Sequence, residues 1–253
     1  MNQPVEEFKF WEYKRESGGL TSAKKPVVLE HQMELIINGQ SWLRFICSPT
    51  HLEALGVGFL YCENVIRSLK DIKSLVLSED GEKLEIALEF EAAKPQAFHR
   101  TSTSVTIDSK ILQHEVDSHC ELKADDLFRL YREFNEMQVY HQQAGGFHSA
   151  SLCDQEKNRI VVEDLGRHNC VDKLAGLYLL DHEDFSIQAL LLSGRISSEM
   201  IAKSLAMQVP VLVSRTSPTA LAIKTAQALN VTLVGYLRGG QFDVYTHPEK
   251  LVI

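Results

Sequence analysis

The second half of the sequence alternates between short apolar runs and longer segments in which apolar residues recur every three or four positions. In chain order these patterns predict strands at 147–153 and 159–162, a helix at about 168–180, a strand at 187–192, a helix at about 198–208, a strand at 211–213, a helix at about 218–229, and strands at 231–235 and 242–245. Such alternation is typical of a sheet with parallel strands covered by helices. We therefore expect an α/β core with a mixed sheet.

The first half has the pattern of paired antiparallel strands. Residues 28–47 read as a hairpin that turns at Asn38-Gly39, a dipeptide that tolerates the positive φ angles of a tight turn. Residues 72–90 read as a second hairpin, turning at Asp80-Gly81, because apolar and polar residues alternate after the turn. These hairpins predict a smaller β-rich part in front of the α/β core.

Two helices complete the expected organisation. Thr50 and Glu53 have the spacing of a capping box at a helix start, and a second helix begins at Asp125 or Asp126. The second helix carries an apolar stripe that we assign to the core: Leu127, Leu130, Tyr131, Phe134 and Met137. The predicted division is a polar arm at 1–26, a β-rich part at 27–122 and an α/β ligand-binding core at 123–253.

Charge and cysteine usage exclude several classes of function. The net charge of −8 argues against nucleic-acid binding, although residues 190–253 hold six basic and only three acidic side chains. The five cysteines form no C-x-x-C pair and no zinc-ligand spacing. We find no signal peptide and no apolar run long enough to span a membrane, so a reducing cytoplasm is expected.

The stretch Glu163–Asn169 places an acid, a guanidinium, an imidazole and an amide between a predicted strand and a predicted helix. Open α/β sheets bind ligands at such carboxyl strand ends. Its candidate ligand-binding residues are Asp164, Gly166, Arg167, His168 and Asn169. We expect Asp164 to orient Arg167 or His168, or to cap the following turn, rather than to act as a base. A polar connection without function is the alternative.

Two later junctions have a similar composition. Ser193-Gly194-Arg195, with Ser197, and the segment 214–219, with Arg215, Ser217 and Thr219, combine hydroxyls or glycine with an arginine at a helix start. Free backbone N–H groups and the helix dipole favour an anion there, and arginine adds bidentate binding of phosphate. The alternative is simple capping, with Ser217 as N-cap and Pro218 as the first helical residue.

Two glycine pairs are further candidates. The segment 238–241 reads either as a hairpin turn or as flexible backbone that approaches the same ligand. Gly146 and His148 follow the same pattern at the start of a strand, where the histidine is either functional or a satisfied hydrogen-bonding group. His51-Leu52-Glu53 matches half of a zinc-deaminase signature, but P-C-x-x-C is absent. We therefore expect no protein-bound metal.

Several strings, in this order, resemble the FdhD/NarQ family of formate dehydrogenase accessory proteins. The resemblance is carried by EDLGRHNCVDK (163–173), SGRISSEM (193–200), SPTALA (217–222), TLVGYLR (232–238) and VYTHPEKL (244–251). ELIINGQ (34–40) and SPTHLEALGVGFLYCENVI (48–66) resemble the family as well. The likeness runs from about residue 27 to the end of the chain.

The resemblance implies a cytidine-deaminase-like α/β/α core without the deaminase zinc. It implies binding of bis-molybdopterin guanine dinucleotide, a form of the molybdenum cofactor, as cargo. It also implies sulfur transfer from a cysteine desulfurase to that cofactor before delivery to the catalytic subunit of formate dehydrogenase, and a homodimer. The residues that match the family's cofactor segment are Tyr236, Leu237, Arg238, Gly239, Gly240 and Gln241.

One departure from the family bears on the chemistry. The family's sulfur-carrying C-x-x-C loop corresponds to residues 101–106 here, and its cysteine positions are occupied by Thr103 and Thr106. A hydroxyl cannot form a persulfide. Three functions stay open: a cofactor-binding accessory protein without a relay thiol, sulfur transfer through Cys120 beside His119, and a nucleotide hydrolase or deaminase. Cys170 is as well explained by burial.

Overall fold

A computed structural model describes residues 3–95, 98–101, 104–107, 115–116, 122–154, 159–182 and 184–252, with the backbone alone at 98–101 and 104–107. Cys120 and Thr103 lie outside these ranges, so the predictions that concern them have no structural counterpart.

The strands in the described ranges are Val5–Lys14 (β1), Gly19–Val28 (β2), His31–Ile37 (β3), Gln40–Cys47 (β4), Ile72–Leu77 (β5), Lys83–Leu88 (β6), Phe98–Thr101 (β7), Ser104–Ile107 (β8), His148–Asp154 (β9), Arg159–Asp164 (β10), Ile187–Leu192 (β11), Val211–Ser214 (β12), Thr232–Arg238 (β13) and Gln241–Thr246 (β14). The α-helices are Leu52–Cys62 (α1), Ala124–Glu136 (α2), Val139–Ala144 (α3), Arg167–Asp181 (α4), Ser198–Ala206 (α5) and Ala220–Ala228 (α6). None of these helices is long and apolar enough to cross a membrane.

The core is a six-stranded mixed sheet in the order β10-β9-β11-β12-β13-β14. Strands β11, β12 and β13 are parallel, and β9 pairs antiparallel with both β10 and β11. Strand β10 therefore runs in the same direction as the three parallel strands. This arrangement confirms the α/β class predicted from the alternating pattern.

Helices cover both faces of this sheet. Every residue of β11 is buried. Leu190 and Leu192 pack with residues of α4, α5 and α6, whereas Ala189 and Leu191 pack with α2. Side chains alternate between the faces of a strand, so a strand buried on both sides loses the polar alternation of a surface strand. The result is a three-layer α/β/α core.

The N-terminal part contributes a four-stranded sheet, β4-β3-β6-β5, that packs on α1. Helix α1 in turn crosses α4 at unusually close range. A Cβ atom on Gly58 would lie 1.7 Å from the Asp172 carbonyl oxygen, and one on Gly176 would lie 1.9 Å from the Ala54 carbonyl oxygen. Only glycine permits this approach of two backbones.

The Asn38-Gly39 turn is confirmed, with φ of 50° and 76°. The segment expected as a polar arm forms the largely exposed β1–β2 hairpin. One other local prediction is wrong, because the predicted capping box at Thr50 does not form. His51, with φ 49°, occupies the N-cap without a side-chain bond. The Thr50 hydroxyl instead accepts a hydrogen bond from Lys173.

Candidate functional site

The carboxyl ends of four co-directional strands meet at one edge of the six-stranded sheet. The Ser214 hydroxyl donates to the Gly194 carbonyl at 2.8 Å, which joins the ends of β12 and β11. The Tyr236 amide donates to the Thr216 carbonyl at 3.2 Å, which joins β13 to β12. The junction motifs predicted as ligand-binding segments are therefore neighbours in space.

Arg167, His148 and Gly194 form one corner of this edge. A Cβ on Gly194 would lie 3.2 Å from His148 Nδ1 and 3.6 Å from Arg167 Cδ, so glycine leaves the room that both side chains occupy. Burial, followed by the charge of Arg167, lowers the pKa of His148. Arg167 Nε and the Ser197 hydroxyl are buried without a hydrogen-bond partner among the described residues.

Asp164 holds the turn between β10 and α4 from beneath. Its oxygens accept bonds from the amides of Ser48 and Gly166 at 2.9 and 2.8 Å, from the Asn169 side chain at 2.8 Å and from the Lys173 ammonium at 2.6 Å. Asp164 and Lys173 are both fully buried. Asp164 and Asn169, predicted as ligand-binding residues, therefore lie below the surface and position the turn, as the capping role expected for Asp164 requires.

His168 lies behind this turn and pairs with Glu199 at 2.6 Å. Burial, followed by the nearby charge of Lys203, lowers the pKa of His168 to about 4, although Glu199 acts in the opposite direction. The imidazole is therefore neutral near pH 7, with its Nε2 proton donated to the carboxylate.

A second buried charge cluster joins α1, α4 and α5. Lys203 donates to Asp172 at 2.7 Å and to Glu63 at 3.1 Å. Burial raises the pKa of Asp172 to about 6, against the opposing effect of Lys203. For Lys203, burial acts to lower the pKa, but the two carboxylates outweigh it and the pKa is raised. The ammonium thus stays charged and acts on His168.

A pocket of about 430 Å³ lies on the α2 side of the same edge. Three arginines from separate elements reach it: Arg132 of α2, Arg215 after β12 and Arg238 at the end of β13. No carboxylate pairs with any of the three within the part of the chain that the structure describes. Its other lining residues are Phe128, Tyr131, Asn135, Glu136, Gln142, Leu237 and Gly239.

The segment predicted to contact a cofactor forms one wall of this pocket. Tyr236 has a positive φ of 52° at a bulge in β13, and the Arg238 guanidinium lies over its ring at 5.5 Å. Gly239 and Gly240, with φ of 62° and 79°, make the hairpin turn before Gln241. The two interpretations of residues 238–241, a hairpin turn and a ligand contact, are therefore compatible, because the turn itself borders the pocket.

The remaining predicted residues lie along the same edge. Arg195 is exposed, and Ser193 and Ser217 are partly buried. The N-cap of α6 is Thr219, whose hydroxyl accepts from the Ala222 amide at 3.2 Å. The prediction that Ser217 is the N-cap was therefore wrong by two positions, because α6 begins after Pro218.

Sequence reasoning missed the contribution of α2. Arg132, Asn135 and Glu136 line the pocket, but the helix was interpreted only through its apolar stripe. Met137, assigned to that stripe, is 43% exposed, whereas Leu127 and Phe134 are fully buried as predicted. The available signal was the cluster of charged and amide residues at the end of α2, which becomes informative only once the end of β12 is known to lie beside it.

The cysteines in the described ranges are unsuited to sulfur chemistry. Cys47, Cys62, Cys153 and Cys170 are all buried. Burial is the largest cause of a raised pKa in each of them, and a protonated, inaccessible thiol is a poor nucleophile. No group of three metal-ligating side chains occurs in the same ranges.

Comparison with known proteins gives a consistent result. A sequence model of the FdhD/NarQ family matches residues 28–252. The chain is 33% identical over 251 residues to a sulfur carrier protein FdhD of Bacillus subtilis, covering 95% of each chain. It is 34% identical over 250 residues to one of Bacillus pumilus, covering 92% of this chain and 93% of the relative.

A solved structure agrees with the fold. A crystal structure from Desulfotalea psychrophila, described as that of a formate dehydrogenase accessory protein, superposes with a TM-score of 0.85 at 24% identity, covering 99% of this chain and all of the other. At that identity the superposition supports the architecture alone. The family match and the full-length relatives together show that this chain belongs to the FdhD/NarQ family.

Proposed function

We propose that this chain binds bis-molybdopterin guanine dinucleotide as cargo at the arginine-lined edge of its sheet and assists its sulfuration or its delivery to formate dehydrogenase. Family membership supports the role, since the curated relatives are named sulfur carrier proteins. The observation that carries the proposal is the pocket between the ends of β12 and β13, where Arg132, Arg215 and Arg238 have no carboxylate partner.

The chemistry of the pocket fits a nucleotide diphosphate. Guanidinium groups bind phosphate oxygens through two parallel hydrogen bonds. An arginine cluster without acidic partners leaves that capacity unused in the protein itself. Phe128, which is partly exposed, adds aromatic surface on which a purine can stack. Each guanine nucleotide of the proposed cargo carries both features.

Binding can be measured without the complete cofactor. We expect guanosine diphosphate to bind the wild-type chain and to raise its melting temperature, because a ligand that binds only the folded state stabilises it. The variant Arg215→Ala/Arg238→Ala should weaken binding by at least about tenfold, since each charge-assisted phosphate contact contributes about 1.5–3 kcal/mol. Arg44→Ala, which removes an exposed arginine in β4, is the matched control.

Two calorimetric results would count against this proposal. One is the absence of heat and of a melting shift with the wild-type chain. The other is equal affinity for the double variant and the Arg44→Ala control.

A second candidate function is sulfur carriage through Cys120. The observation that favours it is the burial of Cys47, Cys62, Cys153 and Cys170. In the proposed step, the Cys120 thiolate attacks the outer sulfur of a persulfide on a cysteine desulfurase. A new S–S bond forms on Cys120, the donor's S–S bond breaks, and the donor cysteine leaves as a thiolate.

Mass spectrometry tests the two functions separately. After incubation with a desulfurase and cysteine, the wild-type chain should gain 32 Da (one sulfur atom) on the peptide that contains Cys120, by the exchange reaction above. Cys120→Ser should lose this gain and keep nucleotide binding. A persulfide that survives in Cys120→Ser would exclude this thiol as the carrier. The homodimer implied by the family resemblance stays a prediction.

A further inference from the structure

We propose that Glu136 is the residue by which this pocket selects guanine over adenine, and that Arg132 binds the phosphates of the same nucleotide without regard to the base. The inference rests on the proposed nucleotide-binding function and deepens it. It assigns two roles to the end of α2, a helix whose polar residues had no predicted function.

The acidic and basic side chains that line the pocket form no salt bridge with one another in the described part of the chain, although two of them are close enough in sequence to do so. Glu136 and Arg132 lie one helical turn apart on α2, a spacing at which oppositely charged side chains reach each other, and both line the pocket. Nevertheless no ion pair within 4.0 Å joins Glu136 to Arg132, Arg215 or Arg238 in the described structure. The pocket thus presents three cations and one carboxylate, each open to a ligand.

A guanine nucleotide has the matching distribution of groups. Its phosphates are anionic, and its base edge carries two adjacent donors, the N1–H and the 2-amino group. One carboxylate accepts from both donors, which gives two charge-assisted hydrogen bonds. Adenine presents an unprotonated N1 in the same position, so a carboxylate there meets a lone pair instead of a donor.

The structure also holds the two ends of this pocket in place. The Gln142 side-chain amide donates to the carbonyls of Asn135 and Glu136 at 3.1 and 3.2 Å, which fixes the end of α2. On the other side the Tyr131 hydroxyl donates to the Leu192 carbonyl at 2.8 Å and accepts from the Arg215 amide at 3.4 Å. Carboxylate and guanidinium are therefore carried by anchored backbone, which favours a specific ligand geometry.

The test measures the affinity of guanosine, inosine and adenosine diphosphates by calorimetry for the wild type and three variants. The wild type should bind guanosine diphosphate at least about tenfold more tightly than adenosine diphosphate, because a lost charge-assisted bond costs about 1.5–3 kcal/mol. Inosine diphosphate, which lacks the 2-amino group, should fall between them. By the same reasoning, Glu136→Gln should lower the affinity for guanosine diphosphate by about tenfold and should leave the affinity for adenosine diphosphate undiminished.

The other variants separate base selection from phosphate binding. Arg132→Ala should lower the affinity for all three nucleotides by the same factor. Asp125→Asn removes an exposed carboxylate from the first turn of the same helix and should change nothing. If the wild type binds guanosine diphosphate but Glu136→Gln keeps the full preference for guanine, the role of Glu136 is overturned while the nucleotide site stands. If the wild type binds no nucleotide, both ideas fail.

Discussion

Replacing Asp164 by asparagine is expected to destabilise the fold far more than a surface substitution, and adding Lys173→Met to that variant should cost less than Lys173→Met costs alone. The two side chains are fully buried and joined at 2.6 Å. Lys173 has two further partners, the Ser48 carbonyl and the Thr50 hydroxyl, but no second carboxylate contacts it among the described residues. Asp164→Asn therefore leaves an ammonium buried without its counter-charge.

The expected cost follows from the environment of the pair. Breaking a buried ion pair from one side costs about 3–5 kcal/mol, so each single variant, Asp164→Asn or Lys173→Met, should lose about that amount. The double variant has no buried charge at this turn, and its asparagine can still accept from the Gly166 amide. We expect it to lose at least about 2 kcal/mol less than the sum of the single losses, as is typical of directly coupled residues.

Urea unfolding followed by circular dichroism provides the free energies of unfolding for this cycle. The total stability of a domain is about 5–15 kcal/mol, and losses smaller than that total can be measured from the unfolding transition. Strict additivity, within about 0.5 kcal/mol, would show that Asp164 and Lys173 act independently and would refute the view that their pairing holds the β10–α4 turn.

Three further predictions concern other parts of the chain. In the folded protein the pKa of His168 is lowered from 6.5 to about 4, so the unfolded chain binds the proton more readily. The difference in unfolding free energy between wild type and His168→Gln should be largest above pH 6.5 and should fall by about 3 kcal/mol as the pH falls toward 4. A difference that does not change with pH, measured by urea titration, would contradict this prediction. Gly58→Ala places a Cβ against the backbone of α4 and should cost about 3 kcal/mol or more, whereas Gly19→Ala, at an open position, should cost less than about 0.5 kcal/mol; similar melting temperatures for the two would disprove the close approach. Arg195→Ala, which removes an exposed guanidinium from the sheet edge that carries the proposed site, should weaken diphosphate binding with no change in the melting temperature of the free protein. Unchanged affinity in a calorimetric titration would remove Arg195 from the proposed site.

Local chemistry explains what could be predicted from the sequence. The turn at Asn38-Gly39 needs only residues that tolerate positive φ, so it was readable from a dipeptide. The strand-to-helix alternation fixes the direction of β11, β12 and β13, and direction alone brings their carboxyl ends to one edge. The same reasoning predicted that Arg167, Arg195, Arg215 and Arg238 lie at one site, but only Arg215 and Arg238 line the pocket.

Tertiary packing explains what could not be predicted. Helix α4 contacts α1, α5 and the sheet, so most of its faces are buried and no polar stripe identifies an exposed side. Lys173 and Lys203 consequently look like surface lysines in the sequence, although each is buried against a carboxylate. The role of Glu136 could not be predicted either, because its place in the same pocket as Arg215 depends on how α2 lies across the sheet.

The crossing of α1 and α4 has a consequence for how this chain can be divided. At Gly58 and Gly176 the two helices meet main chain to main chain, so no side chains separate α1 from α4 at this crossing. Cutting the chain between them would expose peptide groups and apolar surface on both fragments. Because glycine has no side chain, neither fragment could cover the exposed peptide groups by rearranging side chains at this crossing. We therefore expect the N-terminal sheet and the α/β core to unfold as a single unit.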